Sequence, residues 1–218
     1  LFGLGFDYRF KIYWKNKGFR KVLALLPARS LDQGIDYVNS IVETNLASRM
    51  AAGTIRAYQQ ASVLYCVPIN LIGVAISNAA FPKMTERLGQ GRPDLFKKEL
   101  QAVIRVIIWL ALPTTVVAFF GRGYIVNFIK NGGDPLMASL LGILTIAIIF
   151  RSVYHIAARS FYAQQDTKTP LYISFFAIGL NIALAIWFTM GQGMGAYGLA
   201  WATAIVAATE LSILFFVM

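Results

Sequence analysis

The chain has 218 residues, 57% hydrophobic and 14% charged, with a formal net charge of +10. A soluble domain carries about 25% charged residues; here the apolar residues gather instead in runs of about 20, enough at 1.5 Å per residue to cross a hydrocarbon core of about 30 Å. These figures exclude a soluble globular domain and indicate an all-α polytopic membrane protein, its positive charge belonging to loops against anionic lipids and not to a nucleic-acid surface.

Residues 1–21 read as a basic juxtamembrane segment, followed over 22–218 by a six-helix transmembrane lobe. The chain opens on "LFGLGFDYRF" without methionine or a visible signal peptide and closes inside the apolar "ILFFVM". A fragment of a longer protein is therefore expected. Apolar patterning predicts spans near 22–49, 57–81, 102–120, 136–162, 171–190 and 196–217. Breakers separate them: "AAGT" at 51–54, "GQGRPD" at 89–94, "NGGDP" at 131–135, "TKTP" at 167–170 and "GQGMG" at 191–195.

Charge predicts orientation. One set of connections holds Arg9, Lys11, Lys15, Lys17, Arg20 and Lys21, then Lys83, Arg87, Arg92, Lys97 and Lys98, then Arg159 and Lys168. The alternate set holds only Arg49, Arg56, Arg122 and Lys130. The richer set faces the cytoplasm by the positive-inside rule.

Within the spans, polar groups fall into stripes. Asp32, Asp36, Asn39 and Glu43 lie within about 60° of one another at 100° per residue, with Arg29 beside them. A charge at the bilayer centre costs at least about 2.5–3.5 kcal/mol, so such a stripe faces protein or water. It reads as a water-filled pathway or ion site, or as acids paired with Arg29 inside the bundle. Gln59, Ser62, Cys66, Asn70, Gly73 and Ser77 repeat the spacing with neutral groups on the second span. On the fourth, Arg151, His155 and Arg159 stand at i, i+4 and i+8, with snorkelling to the headgroups the alternative role for the arginines. The single cysteine, Cys66, offers no disulfide framework. No GxSxG, HExxH or P-loop occurs, so neither a nucleophile, a zinc site nor a nucleotide cradle is in view. An enzyme is not expected.

The stretch "FYAQQDTKTP", residues 161–170, is similar to the junction between the fourth and fifth helices of the C-terminal lobe in MurJ/MviN lipid II flippases, members of the multidrug/oligosaccharidyl-lipid/polysaccharide exporter superfamily. "RKVLALLPARSLDQGIDYVNSIVETNLASRM" resembles the family's seventh transmembrane helix with the segment before it. "VPINLIGVAISNAAFP" resembles the eighth and "GAYGLAWATAIVAA" the twelfth. In the opening stretch, Phe161 and Tyr162 are expected to anchor at the membrane interface and Pro170 to start the next helix.

The resemblance implies one lobe of a MurJ/MATE-like transporter in the bacterial cytoplasmic (inner) membrane. It would move a polyprenyl-diphosphate-linked glycan, lipid II, across by alternating access, for peptidoglycan and cell wall biogenesis. No cofactor is required. An N-terminal lobe, with most of the family's substrate-binding arginines, is expected in the full-length protein. Residues facing the substrate cavity would be Arg29, Asp32, Asp36, Asn39, Gln59, Asn70, Arg151 and His155. Some members bind sodium in this lobe, and the matching positions are Glu43, Asn181 and Thr203, with coupling to Na+ or H+ implied. Two departures stand out. Val63 occupies the place of an arginine that the family directs at the diphosphate, and Ala185 that of a second polar ligand. Alternatives are a flippase for another polyprenyl-linked glycan, a drug/cation antiporter of the same superfamily, or a non-transporting membrane scaffold.

Overall fold

The computed structural model describes residues 37, 40–50 and 53–218, and their regular structure is entirely helical. Residues 40–48 form α1, the described part of the first predicted span; the rest of 22–49 lies outside the described residues. α2 (Thr54–Gly89) starts after Gly53, whose φ of 90° is a left-handed conformation that glycine adopts without steric cost. Pro68 has no N–H to bond the carbonyl four residues back. The helix widens there into a π turn over Ile69–Val74 and then resumes.

α3 (Pro93–Ile129) runs 37 residues, about 55 Å, far more than a bilayer core requires. Its first turns bury Phe96 and Leu100 in one cluster with Met84 of α2, while Asp94, Lys97 and Lys98 stay exposed. An ion pair at 2.7 Å, Lys83 to Glu99, ties the two helices there. The helices therefore run beyond the spans near 57–81 and 102–120 that the apolar pattern marks. Apolar runs mark the part of a helix that lies in lipid, whereas the end of α2 and the start of α3 continue beyond it as amphipathic turns.

α4 (Pro135–Ala163) is capped by Asp134, which accepts the N–H of Met137 at 3.2 Å, and Pro135 occupies its first turn. α5 (Lys168–Gly191) follows the "DTKTP" junction and ends in a π turn over Trp187–Gly191. Pro170 does not open it. Asp166 organises the helix start, its Oδ1 accepting the N–H groups of Lys168 and Thr169 at 3.0 and 3.1 Å and its Oδ2 the Thr169 hydroxyl at 2.6 Å. These bonds hold the Asp166 carboxyl below the usual aspartate range, the Thr169 side-chain bond most of all. Pro170 then falls in the first turn, where its missing N–H has no intrahelical acceptor to lose. Through Gly193 and Gly195 the chain turns into α6 (Ala196–Val217).

α4 is the central element. More than half of its most apolar stretch, 56%, is buried, against 11% for α3, whose Trp109, Phe120, Tyr124 and Phe128 point outward. α2, α3 and α6 pack around α4, and α5 leans on α6. Five described helices are long and apolar enough to cross a membrane, and the protein is a multi-pass membrane protein.

The core divides in two. One cluster gathers Leu46, Tyr58, Met137, Leu144, Ala185 and Leu199. The other gathers Met84, Ile107, Ile156, Phe161, Ile173 and Leu214 toward the basic loops. Phe161 is only 7% exposed, so it is a core residue and not the interfacial anchor its sequence context predicts. Between the clusters, α4 carries Thr145, Arg151 and Ser152.

Candidate functional site

Polar side chains meet along α4. Arg151 donates from Nη1 to Oε2 of Glu210 on α6 at 3.1 Å. Glu210 is 4% exposed, while the Arg151 side chain keeps 27% of its surface open. Two turns along α4, Arg159 donates to the Val74 carbonyl at the end of the π turn of α2, also at 3.1 Å. His155, half-buried, lies between the two arginines with its ring edge-to-face against Tyr154. Tyr154 and Ser174 link α4 to α5 through their hydroxyls at 3.0 Å. The arginine stripe therefore reaches α6 at one level and α2 at the next. Among the described residues this stripe brings together two guanidinium groups, one carboxylate and one imidazole.

The second span is divided by its π turn. A π turn takes an extra residue, so residues beyond it are rotated by about 100° relative to an unbroken α-helix. Gln59 and Asn70 lie before or in the turn and are exposed, and Cys66 is half-buried. Gly73 and Ser77 are buried. A Cβ on Gly73 would lie 2.7 Å from Ser152 Cα, so only glycine permits α2 to approach α4 this closely. The single polar stripe expected on this span is thus two: an open one at Gln59 and Asn70, and a packed one at Gly73 and Ser77. Val63 is 66% exposed on the same helix, so residue 63 has room for an arginine and lacks one.

A second polar group sits inside the first core cluster. The Tyr58 hydroxyl donates to Oε2 of Glu43 at 3.0 Å and lies 3.5 Å from Oγ1 of Thr203. Thr203 in turn donates to the Leu199 carbonyl at 3.0 Å. Glu43 and Thr203, paired in sequence reasoning only by resemblance, thus meet around one phenol. Asn181 is 2% exposed and its Oδ1 has no hydrogen-bond partner among the described residues. Ala185, one turn on, is buried and brings no polar atom. Among the described residues no group of three histidine, cysteine or acidic side chains could hold a metal ion.

Arg29, Asp32, Asp36 and Asn39 lie outside the described residues. Sequence reasoning missed Glu210 and Tyr58. Glu210 had a signal, being the one charged residue between Ala196 and Val217. Tyr58 had none, since a tyrosine near a helix start reads as an interfacial aromatic.

A family model described as "Lipid II flippase MurJ" matches residues 1–218. Among curated relatives, the probable lipid II flippase MurJ of Borreliella burgdorferi is 24% identical over 203 residues, covering 90% of this chain and 40% of that protein. That of Thermotoga maritima is 25% identical over 195 residues, covering 87% and 40%. The chain thus spans about two fifths of the length of these relatives. A solved lipid II flippase MurJ in an inward closed conformation superposes with a TM-score of 0.79 at 25% identity, over 95% of this chain and 45% of that one. A MOP-superfamily transporter from Pyrococcus furiosus gives 0.82 at 12% identity, over 90% and 44%, a likeness of fold.

Proposed function

Because the chain belongs to the MurJ lipid II flippase family, we propose that it forms one lobe of a transporter carrying lipid II, a polyprenyl-diphosphate-linked glycan, across the bacterial cytoplasmic membrane. The observation that carries the reading is the stripe of Arg151, His155 and Arg159 inside the otherwise apolar α4, with Arg151 reaching Glu210 and Arg159 the Val74 carbonyl. A diphosphate crossing a bilayer loses its hydration, and guanidinium groups replace that hydration with charge-assisted, fork-shaped hydrogen bonds. Glu210 holds Arg151 in place before the substrate arrives. With Val63 in place of an arginine, the diphosphate contact falls to α4 and to Arg29. The work is transport by alternating access against an N-terminal lobe, with the basic loops in the cytoplasm, and makes or breaks no covalent bond.

Coupling to Na+ or H+ belongs to the same proposal. The fit to a monovalent cation rests on hard oxygens: the Glu43 carboxylate, the Thr203 hydroxyl and the Asn181 amide oxygen, which has no hydrogen-bond partner among the described residues. Bound there, a cation would supply a charge that loads and unloads with the cycle. This chain's residues would hold it between α1, α5 and α6.

Complementation tests the function. The full-length gene should restore growth to cells depleted of their lipid II flippase, and the Arg151→Gln variant should restore it poorly at equal membrane abundance. Failure of the wild type to complement, where a glycan flippase of another fold succeeds, would count against lipid II as substrate.

A further inference from the structure

α3 packs against α4 and against α2 from the π turn onward, yet stands off from the first half of α2, Thr54–Pro68. Where the two helices part they leave a groove of about 380 Å3, bordered by α4. Leu64 and Leu71 wall it on α2, Val117 and Ala118 on α3, and Leu141 and Ile148 on α4. Its two threonines, Thr114 and Thr145, turn their protons to the Leu110 and Gly142 carbonyls of their own helices, both at 2.7 Å. A hydroxyl has one proton to donate, so neither has one left for a polar guest. The groove suits an apolar chain.

Its three walls are helices long and apolar enough to cross a membrane, so its surroundings are lipid and not water. From Thr114 to Ile125 the groove follows α3 for about 16 Å at 1.5 Å per residue. That is close to half of a hydrocarbon core of about 30 Å, the depth of one leaflet. Near its outer end stands Arg122, one turn from both Ala118 and Ile125. The Arg122 stem lies across Gly142 of α4, where an added Cβ would meet its Cδ at 2.8 Å. Nη1 donates to the Phe119 carbonyl at 2.6 Å, and the guanidinium carbon stands 4.7 Å from the centre of the Phe119 ring. A guanidinium has five N–H groups, and among the described residues this one has no acidic partner. Tyr124, exposed two residues further on, marks the head-group level.

We propose that this groove holds one acyl chain of an anionic phospholipid such as phosphatidylglycerol, with its phosphate on Arg122, in the leaflet opposite the basic loops. Charge and length argue together: the guanidinium lacks a counter-ion, and the groove runs one leaflet inward from it. A zwitterionic lipid brings the same phosphate together with an ammonium that Arg122 repels, so a net negative head group is preferred. A groove that ends within one leaflet suits a phospholipid tail better than a long polyprenyl one. Pro68 and Leu71 bring the π turn of α2 to its inner end, so a bound chain braces the turn through which α2 approaches α4. The inference rests on the membrane setting of these helices and not on the cargo the lobe carries.

The test uses the full-length protein in nanodiscs carrying a trace of phosphatidylglycerol with a photoactivatable group on one acyl chain, and the matching phosphatidylcholine probe beside it. Adducts are mapped by mass spectrometry of peptides. In the wild type they should fall on residues 64–71, 114–125 and 141–148, with about fivefold more from phosphatidylglycerol than from phosphatidylcholine. Arg122→Gln should bring the two probes level. Val117→Trp, which places an indole in the groove from an exposed position, should abolish the groove adducts of both, and Ala118→Phe serves where that variant fails to fold. No adducts on these three segments, as when another helix of the full-length protein covers the groove, would overturn the site. Equal labelling by both probes in the wild type, or a preference that survives Arg122→Gln, would overturn the role of the head group. Adducts displaced by a polyprenyl phosphate and not by excess phosphatidylglycerol would assign the groove to a polyprenyl tail and overturn the phospholipid.

Discussion

Gly73→Ala tests the contact on which the polar layer is built. The new Cβ would lie 2.7 Å from Ser152 Cα, 3.1 Å from its carbonyl oxygen and 3.2 Å from its Cβ. Carbon atoms pack at about 3.5–4.0 Å, so α2 and α4 must part by about 1 Å. The obstacle is backbone, which no rotamer change can move aside. Over-packing of this kind costs about 1–3 kcal/mol, and replacing a helical glycine by alanine returns about 1 kcal/mol. The net expectation is a loss of up to about 2 kcal/mol. Gly179→Ala in α5 is the control, since nothing lies within 4 Å of its Cβ and only the favourable part applies. That variant should gain about 0.5–1 kcal/mol. Thermal unfolding of the full-length protein in detergent reads both, and Gly73→Ala should melt below Gly179→Ala by the equivalent of about 1–3 kcal/mol. The Arg159 bond to the adjacent Val74 carbonyl should lengthen with the helices, so transport should fall as well. Equal melting of the two variants would refute the close α2–α4 approach.

The Arg151–Glu210 pair should respond asymmetrically. Arg151→Met leaves a carboxylate only 4% exposed without its guanidinium and should cost about 3–5 kcal/mol, whereas Glu210→Gln leaves an arginine with access to water and should cost less; comparable losses in thermal melts would contradict the burial difference. Asp166→Ala removes the acceptor that starts α5 and should cost about 1 kcal/mol at neutral pH. Because the folded carboxyl sits below its unfolded value, that contribution is fully present above about pH 3.9 and is lost as pH falls through the depressed folded value. Melts of wild type and variant should therefore converge in acid, and a constant gap would show that the charge is irrelevant. For orientation, cysteines replacing Arg92 and Lys168 in a Cys66→Ala background should resist an impermeant thiol reagent in intact cells, while cysteines replacing Arg49 and Gln192 should react; the reverse pattern would invert the topology.

Lipid-crossing helices were legible because length and apolarity are local properties: 136–162 and 196–217 fall within a residue of α4 and α6 at each end. The end of α2 and the start of α3 were not, because the turns there are held by Phe96, Leu100 and the Lys83–Glu99 pair and not by lipid. Periodicity placed Gly73 and Ser77 on the face of Gln59 and Asn70. It failed there because a π turn after Pro68 changes the angle per residue without changing the residue types. The site was legible in its charges but not in its pairings. Arg151 stood out as an arginine in an apolar run, yet its partner lies 59 positions away on another helix, a distance only the fold can close. Tyr58 shows the same limit, as its phenol gains meaning only when Glu43 and Thr203 arrive from two other helices.

This lobe is proposed to serve lipid II translocation through the arginine stripe of α4. The most direct measurement of that role is the rate at which fluorescent lipid II crosses vesicles reconstituted with the full-length protein, wild type and Arg151→Gln side by side. The account predicts translocation well above protein-free vesicles for the wild type and a loss of tenfold or more for the variant, a change of about 1.4 kcal/mol or more in the barrier. A folded wild-type protein that moves lipid II no faster than empty vesicles, under sodium and proton gradients alike, would contradict it.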